Sequence, residues 1–224
     1  VAQRHRSTVA DTFRQLGSTL KHAVKEPHII MYLLAFFFFI NGVNTIIDMA
    51  TAYGTALGLD TTGLLLALLL TQIVAFPFAI LFGRLAAKYD SGLLIKICIG
   101  SYTAITAFAM FLVAQWQFWL LATLVGMFQG AIQALARSYL GKIIPAERSG
   151  AYYGLMDVFG KGATFLGALL IGIVSQLTIG IEVEIFGITL QNENLAVGTL
   201  IILFIIGFIL FCKADKMNKQ RAAK

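Results

Sequence analysis

A chain of 224 residues with 58% hydrophobic and only 12% charged side chains cannot present the mixed charged surface that keeps a globular domain soluble, so its bulk solvent is expected to be lipid. A net charge of +6 would suit a nucleic acid, but the placement of the bases assigns most of it to membrane topology and excludes that partner. Cys98 and Cys212 lie in or at the end of apolar runs at unrelated spacing, which excludes a disulfide framework and a cysteine metal site.

Residues 1–27 are polar and basic, with no apolar core of a cleavable signal peptide. Within them Val9, Phe13, Leu16, Leu20 and Val24 fall within roughly 80° on a helical wheel, which predicts an amphipathic linker helix lying on the cytoplasmic face of the bilayer. Glu26-Pro27 then marks the start of a six-helix transmembrane bundle over 28–212, followed by a cytoplasmic basic tail over 213–224. A hydrocarbon core of about 30 Å needs about 20 apolar helical residues. Six segments meet that test, at approximately 29–56, 62–83, 93–115, 117–140, 150–179 and 195–212. Asp60, Asp90-Ser91-Gly92, Pro145 and the run at 191–194 mark turns.

The bases set the orientation. Five precede the first span, Arg84, Lys88 and Lys96 flank the second turn, Arg137, Lys142 and Arg148 flank the fourth, and five follow the last span. Sixteen of the 17 Lys and Arg residues then lie on one side, which six spans with both termini cytoplasmic explain and five or seven do not. Lys161 is left in the membrane. A multi-pass protein of the plasma (inner) membrane is expected.

A charge at the centre of a membrane helix costs about 2.5 to 3.5 kcal/mol, so Asp48, Asp157 and Lys161 must face protein, one another or water. Asn41, Asn44 and Asp48 share one face of the first span; Asp157, Lys161 and Thr164 share one face of the fifth; Gln129, Gln133 and Arg137 form a stripe on the fourth. With a lesser polar face at Thr71 and Gln72 on the second, these stripes predict a polar cavity lined by spans one, two, four and five. The third span offers Ser101, Thr103 and Thr106, whose hydroxyls can bond back to their own helix, and the sixth has no strongly polar side chain over 197–211. Both are expected to be lipid-facing supports. The competing reading is structural: Asp157 and Lys161 at i, i+4 neutralise one another, and the amides join helices by hydrogen bonds.

All three histidines, His5, His22 and His28, lie before or at the start of the first span, so an intramembrane serine protease has no base and a histidine metal site no ligands. No phosphate loop, zinc motif or catalytic carboxylate pair is present. Enzymatic activity, a cofactor and a metal are therefore not expected.

The stretch from Leu33-Leu34-Ala35-Phe36 through Asn41-Gly42-Val43-Asn44-Thr45-Ile46-Ile47, then Gly83-Arg84-Leu85-Ala86, Gln133-Ala134-Leu135-Ala136-Arg137-Ser138 and Phe159-Gly160-Lys161, resembles the C-terminal half of the vacuolar-effluxer-like branch of the major facilitator superfamily. The resemblance implies an all-α fold of two inverted three-helix repeats, with spans one, two, four and five around a cavity. It also implies a missing N-terminal six-helix half as partner, and alternating-access transport of a small polar solute, amino acids being what the branch name suggests, coupled to a proton or sodium ion. Asn41, Asn44, Gln129 and Gln133 would hydrogen-bond the solute, and Asp48, Asp157 and Lys161 would bind its charges or titrate. The superfamily's Gly-x-Leu-Ala-Asp-Arg-x-Gly motif is matched at Gly83, Leu85, Ala86 and Lys88, whereas Ala87 replaces the acid and Asp90 the last glycine. Asp90 would take over the acid's role at a cytoplasmic gate near the start of the fifth span, together with Gly83, Arg84, Lys88, Arg137, Glu147 and Arg148. The alternatives are a six-helix module that transports nothing by itself and a homo-oligomeric channel.

Overall fold

The computed structural model describes residues 9–181, 183–185 and 188–223. Among the described residues, eight α-helices run in the order α1 (Val9–Lys25), α2 (Pro27–Ala56), α3 (Thr61–Lys88), α4 (Ser91–Ala109), α5 (Gln115–Ile143), α6 (Ser149–Leu177), α7 (Asn192–Gly198) and α8 (Leu200–Ala222). A 3-10 turn, Ala146–Arg148, precedes α6, and a two-stranded hairpin, β1 (Val183–Ile185) with β2 (Ile188–Leu190), precedes α7. Six of these stretches, α7 and α8 counted as one, are long and apolar enough to cross a membrane.

Local chemistry sets the ends. Pro27 opens α2 at a position where its missing N–H costs nothing. Gly58, with φ +74°, takes the left-handed turn after α2 that a side chain would resist. Asp60 accepts from the Gly63 amide at 2.6 Å to cap α3, and Asp90 accepts from the Gly92 amide at 3.3 Å to cap α4. Several boundaries differ from the sequence reading, among them the end of the second span, at Lys88 instead of 83. The third span stops at Ala109 instead of 115, because its last carbonyls are taken by distant side chains: Tyr53 Oη donates to Ala109 O at 2.6 Å, and Asn194 Nδ2 to Met110 O at 2.8 Å. The last helix does not stop near 212 but continues to Ala222, so most of the basic tail is its C-terminal extension.

α2 packs on α6 and α8, α5 packs on α3 and α4, and α4 packs on α8. Exchanging the first three spans for the last three (α2 for α5, α3 for α6, α4 for α8) maps this set of pairings onto itself, which is the pattern of two three-helix repeats. Three is odd, so the second repeat begins on the opposite side of the membrane and the repeats are inverted. Glycines permit the close approaches. A Cβ on Gly167 would overlap the Thr45 hydroxyl and the Asn41 carboxamide where α6 meets α2, and one on Gly126 would lie 2.7 Å from Thr71 O where α5 meets α3.

α4 and α8 each bury one face in the bundle, and the hydroxyls of Thr103 and Thr106 bond back to Ile99 O and Tyr102 O as their sequence positions suggest. α3 and α6 are the least covered spans, with Ile73, Phe76, Phe165 and Leu177 among their exposed side chains. α1 seats Thr19 and Ala23 inward and leaves Leu20 and Val24 exposed. The side chains of Val9, Phe13 and Leu16 lie outside the described residues.

Candidate functional site

One polar cavity of about 220 Å³ lies between α2, α5 and α6. α2 contributes Asn44, α5 contributes Gln133 and Arg137, and α6 contributes Asp157, Lys161 and Thr164, against an apolar wall of Phe36, Ile40 and Met156. Asn44 Nδ2 donates to Thr164 Oγ1 at 3.4 Å across α2 and α6. Arg137 Nη2 donates to Asp157 Oδ1 at 2.6 Å across α5 and α6, and the Tyr153 hydroxyl donates to Arg137 O at 3.1 Å beside it.

The residues order themselves by depth. The end of the bundle where α2, α4 and α6 begin carries the bases. At about 1.5 Å per residue, Arg137 and Asp157 lie about 10 Å from that end, Lys161 and Gln133 about 15 to 18 Å, and Asn44 about 25 Å. The ion pair therefore crosses the mouth of the cavity on the base-rich side, while Lys161 stands behind it. Asp157 pairs with Arg137 rather than with its i+4 neighbour Lys161, which leaves Lys161 without an ion-pair partner among the described residues.

Asn44, Gln133, Asp157 and Lys161 are thus brought together, and Arg137, assigned to the gate from sequence, joins them. Asn41, Asp48 and Gln129 do not line this cavity. Asn41 is fully buried where α2 meets α6, accepting from Thr45 Oγ1 at 3.2 Å, and its Nδ2 has no hydrogen-bond partner among the described residues. Asp48 is exposed one turn further along α2, and Gln129 Oε1 is buried and unpartnered among the described residues. The expected lining from the second span is not there: Thr71 is buried and donates to Ala67 O and Ala122 O, which spends its hydroxyl on joining α3 to α5.

The remaining gate candidates lie at the base-rich end. Gly83, Arg84 and Lys88 are exposed on the last turns of α3. Glu147 and Arg148 line a recess between α1 and the start of α6 with Ser18, Thr19 and His22. Asp90 does not engage the start of α6; besides capping α4 it pairs with Lys219 of α8 at 2.6 Å. The Lys219 ammonium beside it holds the Asp90 carboxyl below its ordinary value, against the opposing pull of partial burial.

Asp90 belongs to a cluster that the sequence reading missed. Asp215 on the extension of α8 is almost fully buried and receives Lys96 Nζ of α4 at 2.5 Å, Lys219 Nζ at 3.2 Å and the Tyr139 hydroxyl of α5 at 3.2 Å. Asn218 Nδ2 donates to the same Tyr139 hydroxyl at 3.0 Å, and Arg221 reaches Glu26 at 3.0 Å and the His28 ring at 2.6 Å. A Cβ on Gly92 would collide with the Asp215 carboxylate, so that glycine makes room for it.

Residues 2–224 match the family described as vacuole effluxer Atg22 like. The chain belongs to the Atg22-like vacuole effluxer family. It is 39% identical over 202 residues to an uncharacterized MFS-type transporter of Bacillus subtilis (strain 168), covering 90% of this chain and 44% of that protein. It is 25% identical over 186 residues to autophagy-related protein 22-2 of Aspergillus niger, covering 76% and 31%, and 28% identical over 184 residues to autophagy-related protein 22-2 of Neosartorya fischeri, covering 74% and 30%. The chain thus spans less than half the length of these relatives.

Proposed function

We propose that this chain is the C-terminal half of a secondary-active Atg22-like carrier that moves a small polar solute by alternating access, rocking against an N-terminal six-helix half. The observation that carries the reading is the cavity in which Asn44, Gln133, Arg137, Asp157, Lys161 and Thr164 converge from three spans. Three ionisable groups facing lipid would each cost about 2.5 to 3.5 kcal/mol, and a wettable hollow removes that cost. With Asp157 engaged by Arg137, Lys161 is the cation left to take an anionic group, and the amides of Asn44 and Gln133 add donors and acceptors around it. A carboxylate-bearing solute with a second polar group fits this set, and amino acids are members of that class. Protons or sodium ions supply the drive. A proton delivered to Asp157 would release Arg137 and open the seam between α5 and α6.

The exposed faces of α3 and α6 are where the other half docks, in keeping with relatives about twice as long as the chain. The base-rich end is cytoplasmic by the positive-inside rule, and α1 and the end of α8 lie there. The intact carrier in proteoliposomes, with and without a pH gradient, tests the assignment: Lys161→Ala and Asp157→Ala should each lower uptake at least tenfold, and full uptake by both variants refutes it.

A further inference from the structure

We propose that the outer face of the α8 extension is a binding surface for the headgroups of anionic phospholipids. α8 keeps the same two faces from end to end. Ile202, Ile205, Ile209, Lys213, Lys216 and Gln220 are all exposed and, at 100° per residue, fall in a stripe about 80° wide. On the opposite side Leu203, Phe204, Phe211, Ala214 and Asp215 are buried in the bundle. The outer stripe changes from isoleucine to lysine at a single level. Counting from Asn192, where the span begins, about 20 residues at 1.5 Å cross the 30 Å hydrocarbon. That brings Lys213 to its edge and Lys216 about 4.5 Å beyond, at the depth of the phosphates.

The pairing of charges separates these two lysines from their neighbours. Lys96 and Lys219 are held by Asp215 and Asp90, and Arg221 by Glu26. Lys213 and Lys216 make no ion pair among the described residues and project on the side away from every acid of the cluster. The buried Asp215 contacts fix the extension against α4 and α5, so the two ammonium groups are presented at set positions and not on a frayed end. The polar cavity receives no residue from α8, so the outer stripe is separate from the transport site. A flexible acidic peptide would have no reason to find isoleucines continuing the stripe, whereas a phospholipid meets them with its acyl chains.

The test uses the intact protein in phosphatidylcholine vesicles containing trace spin-labelled phosphatidylglycerol or spin-labelled phosphatidylcholine, with the motionally restricted fraction read by electron spin resonance. The wild type should prefer phosphatidylglycerol, and the preference should fall on the order of fivefold for each lysine lost in Lys213→Gln and Lys216→Gln. It should also fall as salt is raised. Lys142→Gln removes one charge from the same end of the bundle but off the stripe, and should leave the preference unchanged. Equal loss in Lys142→Gln, no preference in the wild type, or full preference in the double variant would overturn the proposal. Capture of a stoichiometric acidic protein partner with no lipid preference would do so as well.

Discussion

Replacing Asp215 with alanine should destabilise the bundle by about 3 to 5 kcal/mol, the cost of removing one partner of a buried ion pair. The carboxylate is 3% exposed and its closest base, Lys96, is 27% exposed, so removing the carboxylate would leave a partly buried ammonium without its counter-charge. The figure is held below the bare attraction, about 7 kcal/mol at 2.5 Å in an effective dielectric of 20, because folding also desolvates both groups. The Tyr139 hydroxyl would lose an acceptor and Lys219 one of its two carboxylates. Removing both charges is a different perturbation: Lys96→Met with Asp215→Leu leaves no unpaired ion and should recover most of the loss. Urea or thermal unfolding of the two single variants and the double variant in one detergent gives the coupling. A single-variant loss under about 1 kcal/mol, or a double variant no better than the sum of the singles, would refute the claim that this pair is buried and coupled.

Asn194 is 2% exposed and joins Tyr53 Oη and Met110 O at the far end of the bundle. Asn194→Ala should cost about 2 kcal/mol, two membrane hydrogen bonds plus an unsatisfied carbonyl, read as a lowered Tm in detergent. Gly167→Ala should cost about 1 to 3 kcal/mol by forcing Thr45 and Asn41 aside, while Gly172→Ala, which meets open space, should be neutral in the same thermal assay. Asp90 has its folded pKa below its ordinary 3.8 because Lys219 favours the ionised form. Its stabilisation is therefore fully present above that value and lost as pH falls through the folded pKa. The stability gap between wild type and Asp90→Asn should be flat from pH 5 to 7 and close below about pH 3.8; a gap that widens on acidification would contradict the sign.

The spans were legible because a bilayer leaves few solutions: about 20 apolar residues must be helical, and six runs of that length are present. Asp60 and Asp90 were read from sequence as turn markers, and the structure adds that each caps the helix that follows. What sequence spacing cannot supply is the partner across a helix seam. Asp157 and Lys161 at i, i+4 suggested a local pair, yet Arg137 on α5 holds Asp157, because two helices in contact bring a guanidinium closer than one turn of a single helix does. The end of α4 was missed for a related reason: no glycine or proline marks Ala109, and the side chains that take its last carbonyls lie 56 and 84 residues away. Asp215 did carry a signal. It is the one acid among the last bases, and it sits four residues after Phe211 and four before Lys219, in phase with the buried face of the preceding span.

Under the proposed reading, the distribution of these ties decides which seam moves. At one end Asp215 ties α8 to Lys96 of α4 and Tyr139 of α5, Asp90 pairs with Lys219, and Arg221 pairs with Glu26 before α2; at the other Asn194 ties α7 to Tyr53 of α2 and to Met110 after α4. α6 packs on α2 but meets α5 mainly through Arg137 and Asp157 with Tyr153. That pair is about half exposed on both sides, and such pairs are worth about 0 to 1 kcal/mol, against several for the buried Asp215 cluster. A ligand shifts a conformational equilibrium only by its differential affinity for the two states. A solute carboxylate competing for Arg137, or a proton neutralising Asp157, changes the α5 and α6 seam by an amount comparable to what holds it. In that reading α6 is the compliant edge of the half, held to α5 by the same Arg137 and Asp157 pair that a solute charge or a proton would disturb.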